Sequence, residues 1–405
     1  MDTVGIAAYE HVAYLAEKIG CRPIGSPANL AAADYIARYF EQAGLAVEFQ
    51  KFSCPDWAEE QTELILSGAY LEARANTFSP SCDLEAPTLA LGTLAELITA
   101  GAAGRIEGRI LIFYGELAQH ELAARGAIYV PENDQEILKT LATSHPAGLI
   151  TVNPTLYGMW RLVEDFDLEL PSVTVSAASG LRLVRQPGET VRMRITTRRS
   201  PSYSANVIGR LPGKFPDRIS LCAHYDTKVD TPGAYDNATG IGALLTLTGR
   251  LSRETHRYAL EWVAFSGEEI YGLGDMTYAR RTGDFEHVHA AINFDGIGPY
   301  MAATSVAVFA ASEPFKQRVR DLKTAFPGMI EVEPWPASDH YIFYSHGAPS
   351  LALSSLGVKD IYHTPEDSLE WISPDKLAEA VLLAEQVVRE LDGREPGWSR
   401  PGERA

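Results

Sequence analysis

At 405 residues the chain is too long for one ordinary core, so two domains, or one domain carrying a large insertion, are expected. Hydrophobic content of 46% and charged content of 22% describe a soluble globular protein. The 53 acids against 35 bases leave a formal charge of −18, a surface that repels phosphate backbones, and no Lys/Arg block offsets it, which argues against nucleic acid as a partner.

Residues 7–19 and 29–43 carry helical periodicity, and Gly44 offers a stop for the second helix. Ala46–Phe52 then alternates as a strand. From Pro55 to about residue 195 the segments turn short and β-like: Thr88–Leu91, Arg109–Tyr114, Gly148–Val152, Ser172–Val175 and Thr190–Thr196. Short helical stretches and Gly/Pro turns separate them. From Ser204 the pattern alternates strand and helix: strands at Asn206–Leu211, Ile219–Ala223, Ala259–Phe265, Ala290–Phe294, Val306–Ala310 and Pro349–Leu353, with helices over 237–251, 273–281, 313–325 and 374–392. Such alternation predicts an α/β fold with a mainly parallel central sheet and helices on both faces, whose ligand sites belong at the carboxyl ends of strands. The expected organisation is an α/β domain from 1–55 and 197–395, an inserted mostly β domain over 56–196, and a tail over 396–405, with fraying expected after Leu391.

The four cysteines (Cys21, Cys54, Cys82, Cys222) form no C-x-x-C pair, which disfavours thiol metal sites and a disulfide framework. Cys222 reads as a small buried hydrophobe. No stretch approaches the length of a membrane span, and the first ten residues lack a basic start before an apolar run. The expectation is a cytoplasmic protein without a membrane partner, or a secreted one if a leader has been trimmed.

The chemistry concentrates in five places. Ile219-Ser-Leu-Cys-Ala-His-Tyr-Asp carries His224 and Asp226, Gly-Ala-Tyr-Asp-Asn-Ala-Thr-Gly carries Asp236, and Ala264-Phe-Ser-Gly-Glu-Glu carries Glu268 and Glu269. Asn293-Phe-Asp-Gly adds Asp295, and Tyr362-His-Thr-Pro-Glu-Asp adds His363. Taken singly each has a bland explanation. A lone His-x-Asp is more often structural, Asp236 before a helix is an ordinary N-cap, and adjacent acids at a turn are usually solvated. Five in order at successive strand ends suit divalent cations, with one carboxylate left for proton transfer. His224 and Asp226 share a face, so Asp226 can accept the other ring N–H of a ligating His224. Other signals carry less. Gly240-Ile-Gly242 lacks the third glycine of a dinucleotide motif and reads as helix packing. His340 and His346 read as structural or substrate-adjacent, His287 and His289 as surface residues. Trp335, Phe343 and Trp371 read as core or pocket lining.

With Ser338-Asp-His340 added, these motifs strongly resemble the M28 family of zinc peptidases over roughly residues 1–55 and 200–392. The resemblance implies a two-zinc aminopeptidase acting on peptides. In that arrangement His224 and Asp295 hold one ion, Glu269 and His363 the other, and Asp236 bridges them. Glu268 becomes the general base for the attacking water, Tyr362 helps polarise the scissile carbonyl, and Asp226 orients His224. No position of the family's ligand set is altered. Residues 56–196 resemble, more loosely, a protease-associated insertion, through Gly108–Tyr114 and Leu170-Pro-Ser-Val-Thr-Val. Three alternatives stay open: a glutaminyl-cyclase-like single-zinc enzyme, a carboxypeptidase or amidohydrolase on the same scaffold, and a non-catalytic binding protein. No Arg or Lys belongs to the five ligand motifs, which disfavours the carboxypeptidase. Oligomeric state is not legible.

Overall fold

The computed structural model describes residues 3–155, 159–358, 361–395 and 397–402. The chain divides into two compact units, Met1–Cys54 with Tyr203–Ala405, and Pro55–Ser202. The second boundary falls later than residue 196. The reason is a single strand, Thr190–Leu211, which replaces the two short strands expected at Thr190–Thr196 and Asn206–Leu211 and runs through the junction without a break. In the same way the strand beginning at Ala46 continues to Leu66 rather than ending at Phe52.

The chain begins with α1 (Thr3–Ala13) and α2 (Pro27–Gln42). Ser26 caps α2 by accepting the Asn29 N–H, Pro27 opens it, and Gly44 closes it with φ of +85°. β1 (Ala46–Leu66) leads into the second unit, which holds β2 (Ala69–Leu71), β3 (Ala73–Ala75), β4 (Cys82–Leu91), α3 (Leu94–Ala102), β5 (Ile110–Phe113), α4 (Glu132–Ser144), β6 (Gly148–Val152), β7 (Ser172–Val175) and α5 (Ala177–Val184). This unit is strand-rich. Its β4–β5–β6–β7 ladder is parallel, however, and parallel neighbours need crossovers, so the short helical stretches of the sequence become true crossover helices. Leu97 and Ala100 of α3 and Ile137, Leu138 and Leu141 of α4 pack there on Leu111, Phe113 and Leu149.

After β8 (Thr190–Leu211) the chain builds β9 (Phe215–His224), α6 (Thr239–Leu251), β10 (Tyr258–Phe265), α7 (Leu273–Thr282), β11 (Val288–Phe294), β12 (Ala303–Phe309), α8 (Glu313–Lys323), β13 (Ile330–Glu331), α9 (His340–Ser345), β14 (Ser350–Leu356) and α10 (Pro374–Asp392). The sheet of this unit runs β13-β12-β14-β11-β9-β10-β8. Its centre, β14-β11-β9-β10, is parallel, while β12 and β8 are antiparallel to their central neighbours. Strand periodicity sorts the side chains. Leu221 and Ala223 of β9 and Leu260 and Trp262 of β10 join one core with α1, α2, α6, α8 and α10. Cys222, Val263 and Phe265 face the other way, towards Tyr278 of α7 and Ile342 and Phe343 of α9. Burial on both faces explains why these strands read as unbroken apolar runs.

Two expectations are corrected here. The chain after Leu391 does not fray within its described residues. Asp392 accepts the N–H groups of Arg257 and Tyr258, and Arg400 donates to the carbonyls of Phe285, Glu286, Val288 and Gly347. His289 is also buried rather than on the surface, 3% exposed, with Nε2 against the Leu391 carbonyl at 3.3 Å.

Gly242 shows why α6 carries small residues. A Cβ there would sit 2.7 Å from the Ala8 carbonyl oxygen of α1. Gly242→Val is therefore expected to destabilise the first unit by about 1–3 kcal/mol through overpacking. Thermal unfolding checks this as a lower midpoint.

Candidate metal centre

Three neighbouring parallel strands end together. Phe265 of β10 lies opposite His224 of β9, and Asp295, one residue past β11, donates its N–H to the Leu353 carbonyl of β14 at 2.9 Å. Asp226 follows β9 by two residues, Asp236 lies in the turn before α6, and Glu268 and Glu269 follow β10. His363 arrives from the segment after β14 with a left-handed φ of +60°. The carboxyl ends of a parallel sheet thus gather side chains up to 139 positions apart (224 to 363) around one point.

His224 Nε2 lies 3.2 Å from Asp236 Oδ1 and 3.4 Å from Asp295 Oδ1. His363 Nε2 lies 3.1 Å from Asp236 Oδ2 and 3.1 Å from Glu269 Oε2. The two carboxylate oxygens of Asp236 therefore face two different histidines. Ligand atoms about 2.0–2.1 Å from one tetrahedral ion are roughly 3.3 Å apart, so these spacings fit shared coordination. The buried atoms Asp236 Oδ1 and Glu269 Oε1 have no hydrogen-bond donor among the described residues, an expensive state that a cation would relieve. Glu268 joins His224 and Glu269 in a third candidate group.

The electrostatics agree. Burial disfavours a charged His224, but the carboxylates of Glu268, Asp226, Asp236 and Asp295 outweigh it and hold its pKa well above the ordinary value. Burial likewise opposes protonation of His363, and Glu269 and Asp236 outweigh it. Burial also works against an ionised Asp236, yet the two histidines facing its oxygens keep that carboxyl well below the usual range. Burial raises Glu268 well above its ordinary value, and Glu269 upward as well. A pocket that drives protons onto its histidines is a pocket built for positive charge.

Asp226 serves His224 less directly than the sequence suggests. Its Oδ1 is 3.6 Å from Nδ1, beyond a good hydrogen bond, while its backbone carbonyl is nearer at 3.3 Å, and Oδ2 accepts the Glu269 N–H. Tyr362 lines the site, its ring centroid 4.6 Å from that of His363 in a T-shaped contact. His340 is buried and structural: Asn293 donates to its Nδ1, and Nε2 meets the Trp335 carbonyl at 3.0 Å. His346 is held by the Ile342 carbonyl and stacks on Phe285. Trp335 lines the cavity, whereas Phe343 and Trp371 pack in cores.

Three supporting residues escape the sequence reading. Asp367 accepts the N–H groups of Tyr235 and Asp236 at 2.6 and 2.9 Å. Its only signal was membership of the Tyr-His-Thr-Pro-Glu-Asp turn. Arg22, fully buried, donates to the carbonyls of Leu15, Gly20, Tyr225, Pro232 and Gly233, and nothing local marks it. Lys228 lies just outside the His-x-Asp motif. Its Nζ donates to the Glu269 carbonyl at 3.0 Å and lies 3.8 Å from Glu269 Oε2. It stands two residues past Asp226, where a motif read as His-x-Asp stops short. The groups open onto a cavity of about 660 Å³.

Residues 206–388 match the model of Peptidase family M28. Aminopeptidase YwaD of Bacillus subtilis is 27% identical over 96% of this chain and 85% of its own length. A solved zinc aminopeptidase from Bacillus subtilis superposes with a TM-score of 0.78 at 22% identity, covering 96% of this chain and 95% of that one. A Porphyromonas gingivalis glutaminyl cyclase superposes less well, with a TM-score of 0.52 at 15% identity, over 96% of this chain and 99% of its own.

Because Asp367 fixes the backbone on either side of the Tyr235–Asp236 peptide, Asp367→Asn turns one acceptor into a donor facing an N–H. The variant is expected to stay folded and to lose roughly 10–100-fold in zinc affinity. Calorimetric titration of the metal-free protein with zinc reads the loss directly.

Proposed function

Since the catalytic unit belongs to peptidase family M28, we propose that this protein is a zinc aminopeptidase that removes N-terminal residues from peptides with a pair of zinc ions. The observation that carries the reading is Asp236, whose two oxygens face His224 and His363 at 3.2 and 3.1 Å. His224, Asp236 and Asp295 would hold one ion, and Asp236, Glu269 and His363 would hold the other. When bound, the ions supply Lewis acidity for the scissile carbonyl and for the attacking water.

The chain's own groups do the rest. Glu268 takes a proton from the attacking water and returns it to the departing amide nitrogen. The burial that raises its pKa suits a carboxyl that must hold a proton between two transfers. Tyr362 donates its O–H to the carbonyl oxygen as negative charge builds there. Asp226 and Lys228 fix the Glu269 backbone through its N–H and its carbonyl. The carboxylates of the centre can accept hydrogen bonds from a cationic α-amine beside the scissile bond.

Glu268→Gln keeps the shape and removes the base. It is expected to cut kcat roughly 100- to 10,000-fold while metal analysis still finds two ions per chain. Glu269→Gln is expected to lower metal content instead. One ion per fully loaded chain, or near-normal turnover by Glu268→Gln, would overturn the assignment.

The free-amine requirement is tested by comparing a peptide with its N-acetylated and C-amidated forms. Acetylation is expected to abolish cleavage and amidation to be tolerated. The reverse pattern means a carboxypeptidase, and ring closure of N-terminal glutamine without chain cleavage means a cyclase.

A further inference from the structure

The wall of the cavity away from the metal-type residues carries its own chemistry. Ser305 of β12 and Ser354 of β14 are direct partners in the antiparallel ladder, so their side chains stand together on one face, and both line the cavity. Val332, Trp335, Leu356 and Val358 form apolar sides. Glu333, two residues past the edge strand β13, is exposed at this lining, and no cationic side chain pairs with it among the described residues. Among the described residues it is the one lining acid outside the metal-type cluster. No Lys or Arg is among the described residues that line the cavity.

From this arrangement, and resting on the aminopeptidase reading above, we propose that the cavity selects peptides whose N-terminal residue is lysine or arginine, with Glu333 as the specificity-determining residue. A long cationic side chain lays its methylene stem on Val332, Trp335, Leu356 and Val358 and carries its charged head to Glu333, with the Ser305 and Ser354 hydroxyls as further acceptors. The indole face of Trp335 adds a surface that cations favour. A leucine side chain fits the same walls but covers the serine hydroxyls and the carboxylate without giving them a donor. A glutamate side chain meets Glu333 with no cationic side chain among the described lining residues to receive it. The net charge of −18 also draws cationic peptides towards the molecule at low salt.

The test is kcat/KM of the zinc-loaded full chain on lysyl, arginyl, leucyl and glutamyl p-nitroanilides, repeated with Glu333→Gln and Glu333→Lys. The wild-type order is expected to be Lys and Arg above Leu, with Glu last. Glu333 is partly in solvent, so Glu333→Gln is expected to lower the Lys-to-Leu ratio by roughly fivefold. Glu333→Lys lowers it further and raises the Glu-to-Leu ratio. A wild type that prefers Leu to Lys, or a Lys-to-Leu ratio unmoved in both variants, overturns the selectivity and leaves the aminopeptidase standing. Failure of the zinc-loaded wild type to cleave any of the four substrates removes both.

Discussion

Too many carboxylates meet at one end of one sheet, and the rest of the first unit is arranged around that fact. Asp226, Asp236, Glu268, Glu269 and Asp295 converge on two histidines. Two like charges about 4 Å apart cost roughly 4 kcal/mol even at the intermediate dielectric of a protein surface. The chain supplies little to offset this. Lys228 sits beside Glu269, and the histidines become cationic only by taking up protons. The excess reaches behind the cluster as well. Burial pushes Asp275 up to about 7 and holds Asp339 well above its ordinary value, and neither oxygen of Asp339 has a hydrogen-bond donor among the described residues. Divalent cations answer the problem that the side chains leave open.

The groups that hold the cluster do so without neutralising it. Arg22 is a fully buried charged side chain, yet the hydrogen bonds of its guanidinium run to backbone carbonyls. Burial brings its pKa down to about 10, so it stays charged at neutral pH and keeps the segment between β9 and α6 in place. Asp367 grips that segment from the other side through two N–H groups. Asn237 ties it to β11, donating to the Phe294 carbonyl and accepting from the N–H groups of Gly240 and Gly296. Pairing Arg22 with Asp236 would have satisfied a charge and taken an oxygen that now faces a histidine. Binding carbonyls fixes the geometry and leaves the Asp236 oxygens to the histidines.

The cavity lining and the metal-type cluster stand on neighbouring strands of one sheet. Asp295 follows β11, and Ser354 lies on β14, its neighbour in the sheet. Ser305 comes from β12, antiparallel on the far side of β14, so the ladder that continues the sheet brings two hydroxyls to the cavity lining.

The sequence by itself determined which side chains meet at the cluster. Parallel strands buried on both faces read as apolar runs, and their carboxyl ends must lie side by side, so His224, Glu268, Glu269 and Asp295 were legible from where the runs stop. The starts of α8 and α10 were legible where periodicity begins, whereas α1 begins at Thr3 and α2 at Pro27, ahead of the expected residues 7 and 29. Only the tertiary structure decided the support. Arg22 and the carbonyls of Pro232 and Gly233, or Asp367 and the N–H of Asp236, are far apart in the chain, and such a bond leaves no periodic trace. The uninterrupted course of Thr190–Leu211 and the anchoring of Arg400 were hidden likewise. Strand pairing and carbonyl acceptors depend on backbone brought near by folding, and backbone groups are the same at every position of a sequence.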